Sequence, residues 1–439
     1  MSLLRRIRLT DKPFLLFSLL SCLALLVRYL IAAQDLMYLD RLFLPDDTFY
    51  TLSISRSIVA GLGPTVDGVH LTNGFQPLIS LFQLPFFYLG FNGDSAVRLA
   101  IYLSAFWGGL STLVLGYLVL NLGGMRAAVI ATLLWIFCPI IIKNDLNGLE
   151  TSLAGFLSLL AILYVVLIDK EKTIFRLFSL GIICGLAFLA RVDTSFLLGI
   201  IGIFSLFRWG FTSTVIIVTV ALLVVLPWWV YSLINFGTII PESGAAIKEI
   251  LVYHNRPEGL PALISLYLLD EWFPLFELTV FTVFLGIVIT IFIIVKGVIR
   301  SGVFGVILLS ALFLQLSFYT FYLPAFWFLS RYFYFIYALI IIFVALVLDI
   351  NEGYRFKRFS SILVVLILIT YVAYLIPFFA KPEKAGYRGF DSVDGYRDVA
   401  LEISAHLSPG DIVGALQSGA LSFYAPESVR ILNLDGVVS

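Results

Sequence analysis

The sequence predicts an all-α polytopic membrane protein, and its composition and its long apolar runs lead to this fold class. Of the 439 residues, 61% are hydrophobic and 13% are charged, whereas soluble domains carry about 25% charged residues. Apolar runs of roughly 20 residues recur, and each is long enough to cross about 30 Å of hydrocarbon. Because backbone polar groups in hydrocarbon need internal partners, spans this apolar are helices.

Eleven apolar runs are predicted to span the membrane. They lie near residues 14–33, 97–121, 126–143, 150–168, 174–190, 194–208, 213–234, 275–299, 303–323, 331–350 and 360–379. The first run is longer than the core of a signal peptide, so we expect an uncleaved span. A further stretch, 76–89, is short and contains two prolines. Unless it stays out of the bilayer, the basic short loops all face outward, against the positive-inside rule. We therefore expect the amino terminus inside and the carboxyl terminus outside.

This threading separates a transmembrane domain, 1–379, from an extracytoplasmic segment, 380–439. The transmembrane domain includes a first outer segment, 34–94. In 380–439, a helical pattern followed by two strand-like stretches, 412–416 and 429–435, predicts a small α/β unit, near the lower size limit for an independent core. The net charge of zero argues against nucleic acid as a partner. We expect a multi-pass protein of the cell (inner) membrane, with membrane lipid around it.

Carboxylates collect on the predicted outer face. Asp46 and Asp47 precede a stretch, 49–60, that is predicted to be an amphipathic helix on the membrane surface. Asp145 and Glu150 lie at the mouth of a span, where carboxylates are costly to bury. A carboxylate in this position suits a general base that acts on a hydroxyl acceptor.

Cations lie on the same face, and they suit a lipid phosphate that must be held and stabilised as a leaving group. The candidates are Arg191, Lys248 and Arg331. Each also has a structural interpretation: Arg331 as an anchor in an aromatic belt, Lys248 as a solvated charge, and Arg191 as a partner of Asp193 in a tight hairpin. Arg28, inside the first span, is expected to extend outward to the lipid headgroups.

An ordered series of short motifs covers almost the whole chain and resembles the GT-C glycosyltransferases. The likeness is closest to the branch of the mycobacterial terminal arabinofuranosyltransferases and related uncharacterised bacterial proteins. The matching pieces are PDDTFY (45–50), GLGPTVDG (61–68), LTNGFQPL (71–78), NGLETSL (147–153), LARVD (189–193), PESGAAIK (241–248), SRYFY (330–334) and NLDGVV (433–438). The resemblance implies a GT-C-like fold of about 11 transmembrane helices.

The resemblance further implies an inverting sugar transfer from a polyprenyl-phosphate donor to an extracytoplasmic glycan or glycolipid hydroxyl. It places the base at Asp46 or Asp47 and adds Glu150 to the catalytic set, with Asp145 as second choice. Asn73 of the LTNG turn joins the substrate-binding candidates. No cofactor is required by this reading, although a divalent metal is held by the acidic pair of some relatives. Relatives often carry a longer soluble domain after the last span, which leaves acceptor recognition by 380–439 open.

Three other functions remain as alternatives. A transporter or flippase of lipid-linked sugars would favour internal repeats and polar groups at mid-membrane, and the sequence shows neither. A non-catalytic membrane scaffold has no use for the acidic pair. An O-antigen ligase or polymerase would depend more on arginine and histidine; His70, His254 and His406 do face outside in this threading, but they read more simply as solvated loop residues.

Overall fold

A computed structural model describes residues 12–253, 280–323, 329–349, 354–380 and 395–438, and most of them are helical. Predictions that concern residues 1–11, 254–279, 324–328, 350–353, 381–394 and 439, His254 among them, lie outside these residues. The described helices are α1 (Lys12–Ala32), α2 (Leu36–Phe43), α3 (Asp47–Val59), α4 (Pro77–Tyr88), α5 (Asp94–Gly123), α6 (Met125–Phe137), α7 (Pro139–Asp145), α8 (Thr151–Lys170), α9 (Ile174–Ala190), α10 (Ser195–Trp209), α11 (Phe211–Phe236), α12 (Glu242–Tyr253), α13 (Val280–Ser301), α14 (Val303–Ser317), α15 (Leu329–Tyr332), α16 (Tyr334–Leu348), α17 (Tyr354–Ala380), α18 (Tyr396–Ser404) and α19 (Gly419–Tyr424).

Long apolar helices dominate this part of the chain. Seven are long and apolar enough to cross a membrane, or eight if α6 and α7, which meet at a 62° bend, form one span. The bend falls at Pro139, which cannot continue the hydrogen-bond ladder of the preceding helix. Helices α4, α9 and α16 are apolar but shorter. A multi-pass helical fold is thus confirmed, while the count of eleven spans stays a prediction.

Small residues let the long helices approach one another closely. A Cβ at Gly116 would lie 2.5 Å from the ring of Phe17, and a Cβ at Gly109 would lie 2.4 Å from the side chain of Leu25. Both contacts join α5 to α1. Glycine at such positions allows the backbone-close packing that is typical of membrane helices, where association depends on van der Waals contact.

The two ends of the helical body differ in character. At one end, Arg126 donates to the carbonyl oxygen of Lys357 at 2.9 Å, and Arg300 pairs with Asp349 at 2.7 Å. These residues belong to or border loops that the sequence predicts to face the cytoplasm. The opposite end gathers the candidate site residues. The grouping agrees with the predicted threading, and the orientation in the bilayer stays a prediction.

Helix α3 differs from the prediction of an amphipathic surface helix. Every residue from Thr48 to Ser55 is buried, because α4 packs on one side of α3 and α19 packs on another. The helix that begins with Asp47 is therefore an internal element of the outer end.

The described C-terminal residues form a small α/β unit around α18 and α19. Strands β1 (Ile412–Ala415) and β2 (Arg430–Asn433) pair in parallel, with Ile412 opposite Arg430, and α19 connects them. The strands lie inside the two stretches predicted to be strands. The apolar core of this unit is continuous with that of the outer end: Phe423 packs on Phe49 and Phe87.

Candidate active site

An ion pair at the outer end joins the first outer segment to a distant helix. Asp47, the first residue of α3, lies with its Oδ2 2.7 Å from an Nη of Arg331 in α15. The side chain of Asp47 is 28% exposed and that of Arg331 is 11% exposed. The sequence names both residues as candidates from separate motifs, and the structure brings them into contact.

Arg191 is the centre of a second, more enclosed cluster. It donates to Glu150 Oε1 at 2.9 Å and makes a two-pronged contact with Asp193, at 3.0 and 2.8 Å. Tyr319 also donates to Asp193, at 2.6 Å. The pairing of Arg191 with Asp193 across the hairpin is confirmed. Glu150 reaches the same guanidinium, so this cation holds two carboxylates.

Tyr332 connects the two clusters. Its ring stacks on that of Tyr319 with 4.6 Å between the centroids. The guanidinium carbons of Arg191 and Arg331 lie 5.1 and 5.6 Å from the same ring, within the range of cation–π attraction. The two arginines therefore share one aromatic support. The sequence motif SRYFY contains Tyr332, but nothing in its spacing indicates this role.

A small cavity opens beside both arginines. Its polar lining includes Thr151, Arg191, Asp193, Gln315 and Arg331, and its apolar lining includes Leu197 and Phe335. The space for water-sized molecules is about 20 Å³, which is enough for roughly one water. The cavity is therefore amphipathic, with a charged side and an apolar side, and it is much smaller than a sugar.

Asp46, next to Asp47, has a different environment. It is 5% exposed, and its carboxylate accepts the backbone N–H groups of Gly419 at 2.7 Å and Ala420 at 2.8 Å. These are the first two residues of α19, so Asp46 satisfies donors that a helix start leaves unpaired. A Cβ at position 419 would lie 2.3 Å from the backbone oxygen of Asp46. Glycine is thus required for this contact.

A second carboxylate of the first outer segment makes a similar contact. Asp40 accepts the N–H of Arg397, at 2.8 Å, in the first turn of α18. Tyr50, one turn after Asp46, bonds through its hydroxyl to Ser418 and Asn433 of the C-terminal unit. Sequence reasoning missed Asp40, because an acidic residue in the first outer segment gives no indication of a partner more than 350 residues away.

These caps predict a pH dependence of stability. Burial, opposed by the backbone hydrogen bonds, raises the pKa of Asp40 to about 7 and that of Asp46 to about 6. Both values exceed the unfolded value of about 3.9, so the folded protein binds more protons between pH 4 and 7, and acidification through this window favours folding. We expect the thermal midpoint in detergent to rise from about pH 7 to about pH 5 by this contribution. A double variant, D40N/D46N, should lose that contribution, and an unchanged slope in this variant would contradict the assignment.

Asp145 belongs neither to the pair of Asp47 with Arg331 nor to the cluster around Arg191. It forms a fully buried ion pair with Arg28, whose Nε donates to Oδ2 at 2.6 Å, and Tyr334 donates to its other oxygen. The expectation that Arg28 extends outward to the headgroups is wrong, because Asp145 gives it a partner within the helix body. Hydropathy alone could not reveal this partner, 117 positions away.

Asn73 and Lys248 border the region without joining the charged clusters. Asn73 is 1% exposed and accepts the N–H of Glu242 at 3.1 Å, which ties the start of α12 to the first outer segment. Lys248 is exposed, with its Nζ 4.7 Å from the ring centre of Tyr322.

The carboxylates here do not fit a divalent metal in this arrangement. Among the described residues, no three His, Cys, Asp or Glu side chains converge as ligands, and Asp47 and Glu150 each face an arginine.

Three solved structures of membrane proteins resemble this chain over nearly its whole length. The oligosaccharyltransferase of Archaeoglobus fulgidus, in complex with Zn and sulfate, superposes with a TM-score of 0.58 at 16% identity, covering 95% of this chain and 62% of that one. The archaeal oligosaccharyltransferase AglB of A. fulgidus, with an inhibitory peptide and a dolichol-phosphate, gives 0.56 at 12% identity, covering 96% and 65%. ArnT from Cupriavidus metallidurans, bound to undecaprenyl phosphate, gives 0.56 at 15% identity, covering 95% and 86%.

Neither a protein family model nor a curated protein sequence matches this chain. The chain spans less than two thirds of the length of the oligosaccharyltransferase chains and most of the length of ArnT. Likeness at these identities concerns the fold, and the arabinofuranosyltransferase branch stays a resemblance of sequence motifs. This chain shares the fold of these oligosaccharyltransferase and ArnT structures.

Proposed function

We propose that this protein is a membrane glycosyltransferase that moves a sugar from a polyprenyl-phosphate donor to a hydroxyl of an extracytoplasmic glycan or glycolipid. The observation that carries the proposal is the pairing of an accessible carboxylate, Asp47, with a cation, Arg331, at the edge of an amphipathic cavity in a GT-C fold. The ligands of two structures with this fold, dolichol-phosphate and undecaprenyl phosphate, support the donor class.

Asp47 is the proposed base, since it is the more exposed of the two adjacent aspartates. It takes the proton of the acceptor hydroxyl while that oxygen forms a bond to the anomeric carbon of the donor sugar. The bond from this carbon to the phosphate oxygen breaks, and the electron pair leaves with the polyprenyl phosphate. Attack opposite the leaving group inverts the anomeric configuration.

Arg331 is the proposed partner of the departing phosphate. A guanidinium forms strong, directional hydrogen bonds with phosphate oxygens, and it stabilises the charge that develops on the leaving group. Arg191 is already held by Glu150 and Asp193, so we assign it to the support of this region through Tyr332. Glu150 then positions Arg191, and Lys248 and Asn73 are the further candidates for substrate binding.

The test is sugar transfer by the full chain in nanodiscs, with a panel of polyprenyl-phosphate sugars and crude envelope glycans as acceptors. We expect transfer from one donor class, with inverted linkage in the product. Failure to bind or consume any of these donors would overturn the proposal and favour a transporter or a scaffold. Retention of the anomeric configuration would overturn direct attack by a hydroxyl that Asp47 activates.

A further inference from the structure

We infer that Arg331 binds two anions in turn, Asp47 in the resting protein and the donor phosphate during turnover, so that donor binding releases the base. This inference rests on the proposed function and deepens it, because it assigns regulation to the same site. An enzyme built in this way keeps its base occupied until the donor is in place.

The first argument is chemical. The Oδ2 of Asp47 lies 2.7 Å from an Nη of Arg331, so the guanidinium already occupies this carboxylate oxygen. The oxygen of Asp47 that faces Arg331 is also blocked from an acceptor hydroxyl. The resting pair is therefore an unfavourable arrangement for a base, and the chemistry requires it to open.

The second argument is a contrast between the two arginines. Arg191 is enclosed by two carboxylates, with about a tenth of its side chain and of each partner exposed. The pair of Asp47 with Arg331 has one carboxylate that is 28% exposed, so an incoming anion can reach it. Exchange of a carboxylate for a phosphate keeps Arg331 paired throughout, and no buried charge is left alone.

The third argument is the position of the cavity. Arg331 lines it together with apolar side chains such as Leu197 and Phe335. A phosphate on a lipid chain has the same division into a charged head and an apolar tail. Arg331 thus contacts the carboxylate of Asp47 and also borders a small cavity with the same division into a charged and an apolar side.

The experiment measures the dissociation constant of undecaprenyl phosphate for the full chain in detergent. Asp47 competes with the phosphate in the wild type, so we expect D47N to bind this lipid more tightly, by about 5- to 150-fold, the usual range of coupling between two ligands. R331Q should bind more weakly, and D47N/R331Q should bind no more tightly than R331Q. The matched control is D435N, which removes a charge close enough to Asp47 to interact with it but leaves the pair intact.

Four results overturn the exchange. Equal binding by wild type and D47N would show that the two anions do not compete. If D47N tightened lipid binding equally in the R331Q background, the effect would not depend on Arg331. If D435N tightened binding as much as D47N, the effect would be general charge repulsion. Loss of binding in every protein, wild type included, would overturn the proposed function as well.

A second measurement needs no variant. Carbodiimide labelling of wild-type carboxylates, followed by mass spectrometry, should show more modification of Asp47 when undecaprenyl phosphate is present, while Asp435 serves as the internal reference. Unchanged or reduced labelling of Asp47 would count against its release.

Discussion

Replacement of Asp47 by Asn is expected to lower the rate of sugar transfer by about 10²–10⁴-fold, the usual loss when a general base is removed. Asn is nearly the same size and cannot accept the proton. The amide oxygen of Asn can still accept a hydrogen bond from Arg331, so this cation, which is 11% exposed, keeps a polar partner. We therefore expect normal expression of D47N and a loss confined to turnover.

The adjacent aspartate provides the matched control. In D46N the amide oxygen still accepts one backbone N–H of α19, so we expect a small loss of stability, of about 1 kcal/mol, and transfer close to that of the wild type. The measurement that distinguishes the two roles is the initial rate of transfer by each variant with a saturating donor. Equal inactivation of well-folded D46N and D47N would contradict the division of roles, and normal transfer by both would remove the base from this position altogether.

Replacement of Arg28 by Met is expected to destabilise the protein by about 3–5 kcal/mol, the range for the loss of one partner of a buried pair. Both side chains of the pair with Asp145 are 0% exposed. Met removes the charge at similar length, and Asp145 keeps only the hydrogen bond from Tyr334. The measurement is the unfolding midpoint of the purified protein in a titration with a denaturing detergent.

The double variant R28M/D145N separates charge from shape. Without either charge, the cost of burying an unpaired ion disappears, so most of the lost stability should return. If the single and double variants are equally unstable, packing at these positions decides the effect and the ion pair does not.

Much of the helical body was predictable because it depends on local composition. A run of about 20 apolar residues between polar loops, such as 213–234, has one stable form in hydrocarbon, and α11 follows it closely. The burial of a helix was harder to predict where neighbouring helices determine it. The stretch 49–60 has a helical pattern, but its burial comes from α4 and α19, which no local pattern reveals.

The site could be predicted as a set of residue types but not as a set of pairs. Asp47, Arg331, Glu150 and Arg191 were candidates because they are charged groups on the predicted outer face. Their partners come from segments far apart in sequence, and a single sequence contains no signal for such distances. The separation of Asp46 from Asp47 was equally hidden, since adjacent residues on a helix point in directions about 100° apart.

The capping of α19 by Asp46 has a consequence for the biogenesis of the protein. The two partners are separated by 373 residues, which a ribosome adds in roughly 20 to 75 s at 5–20 residues per second. Throughout that time the buried carboxylate and the apolar face around Phe49 lack their partners. The nascent chain therefore emerges with an unfinished outer end, which closes only after residue 420 has been synthesised and delivered to the same side of the bilayer. A ribosome that stalls before this point leaves an incomplete protein with apolar surface uncovered, which quality-control proteases can recognise.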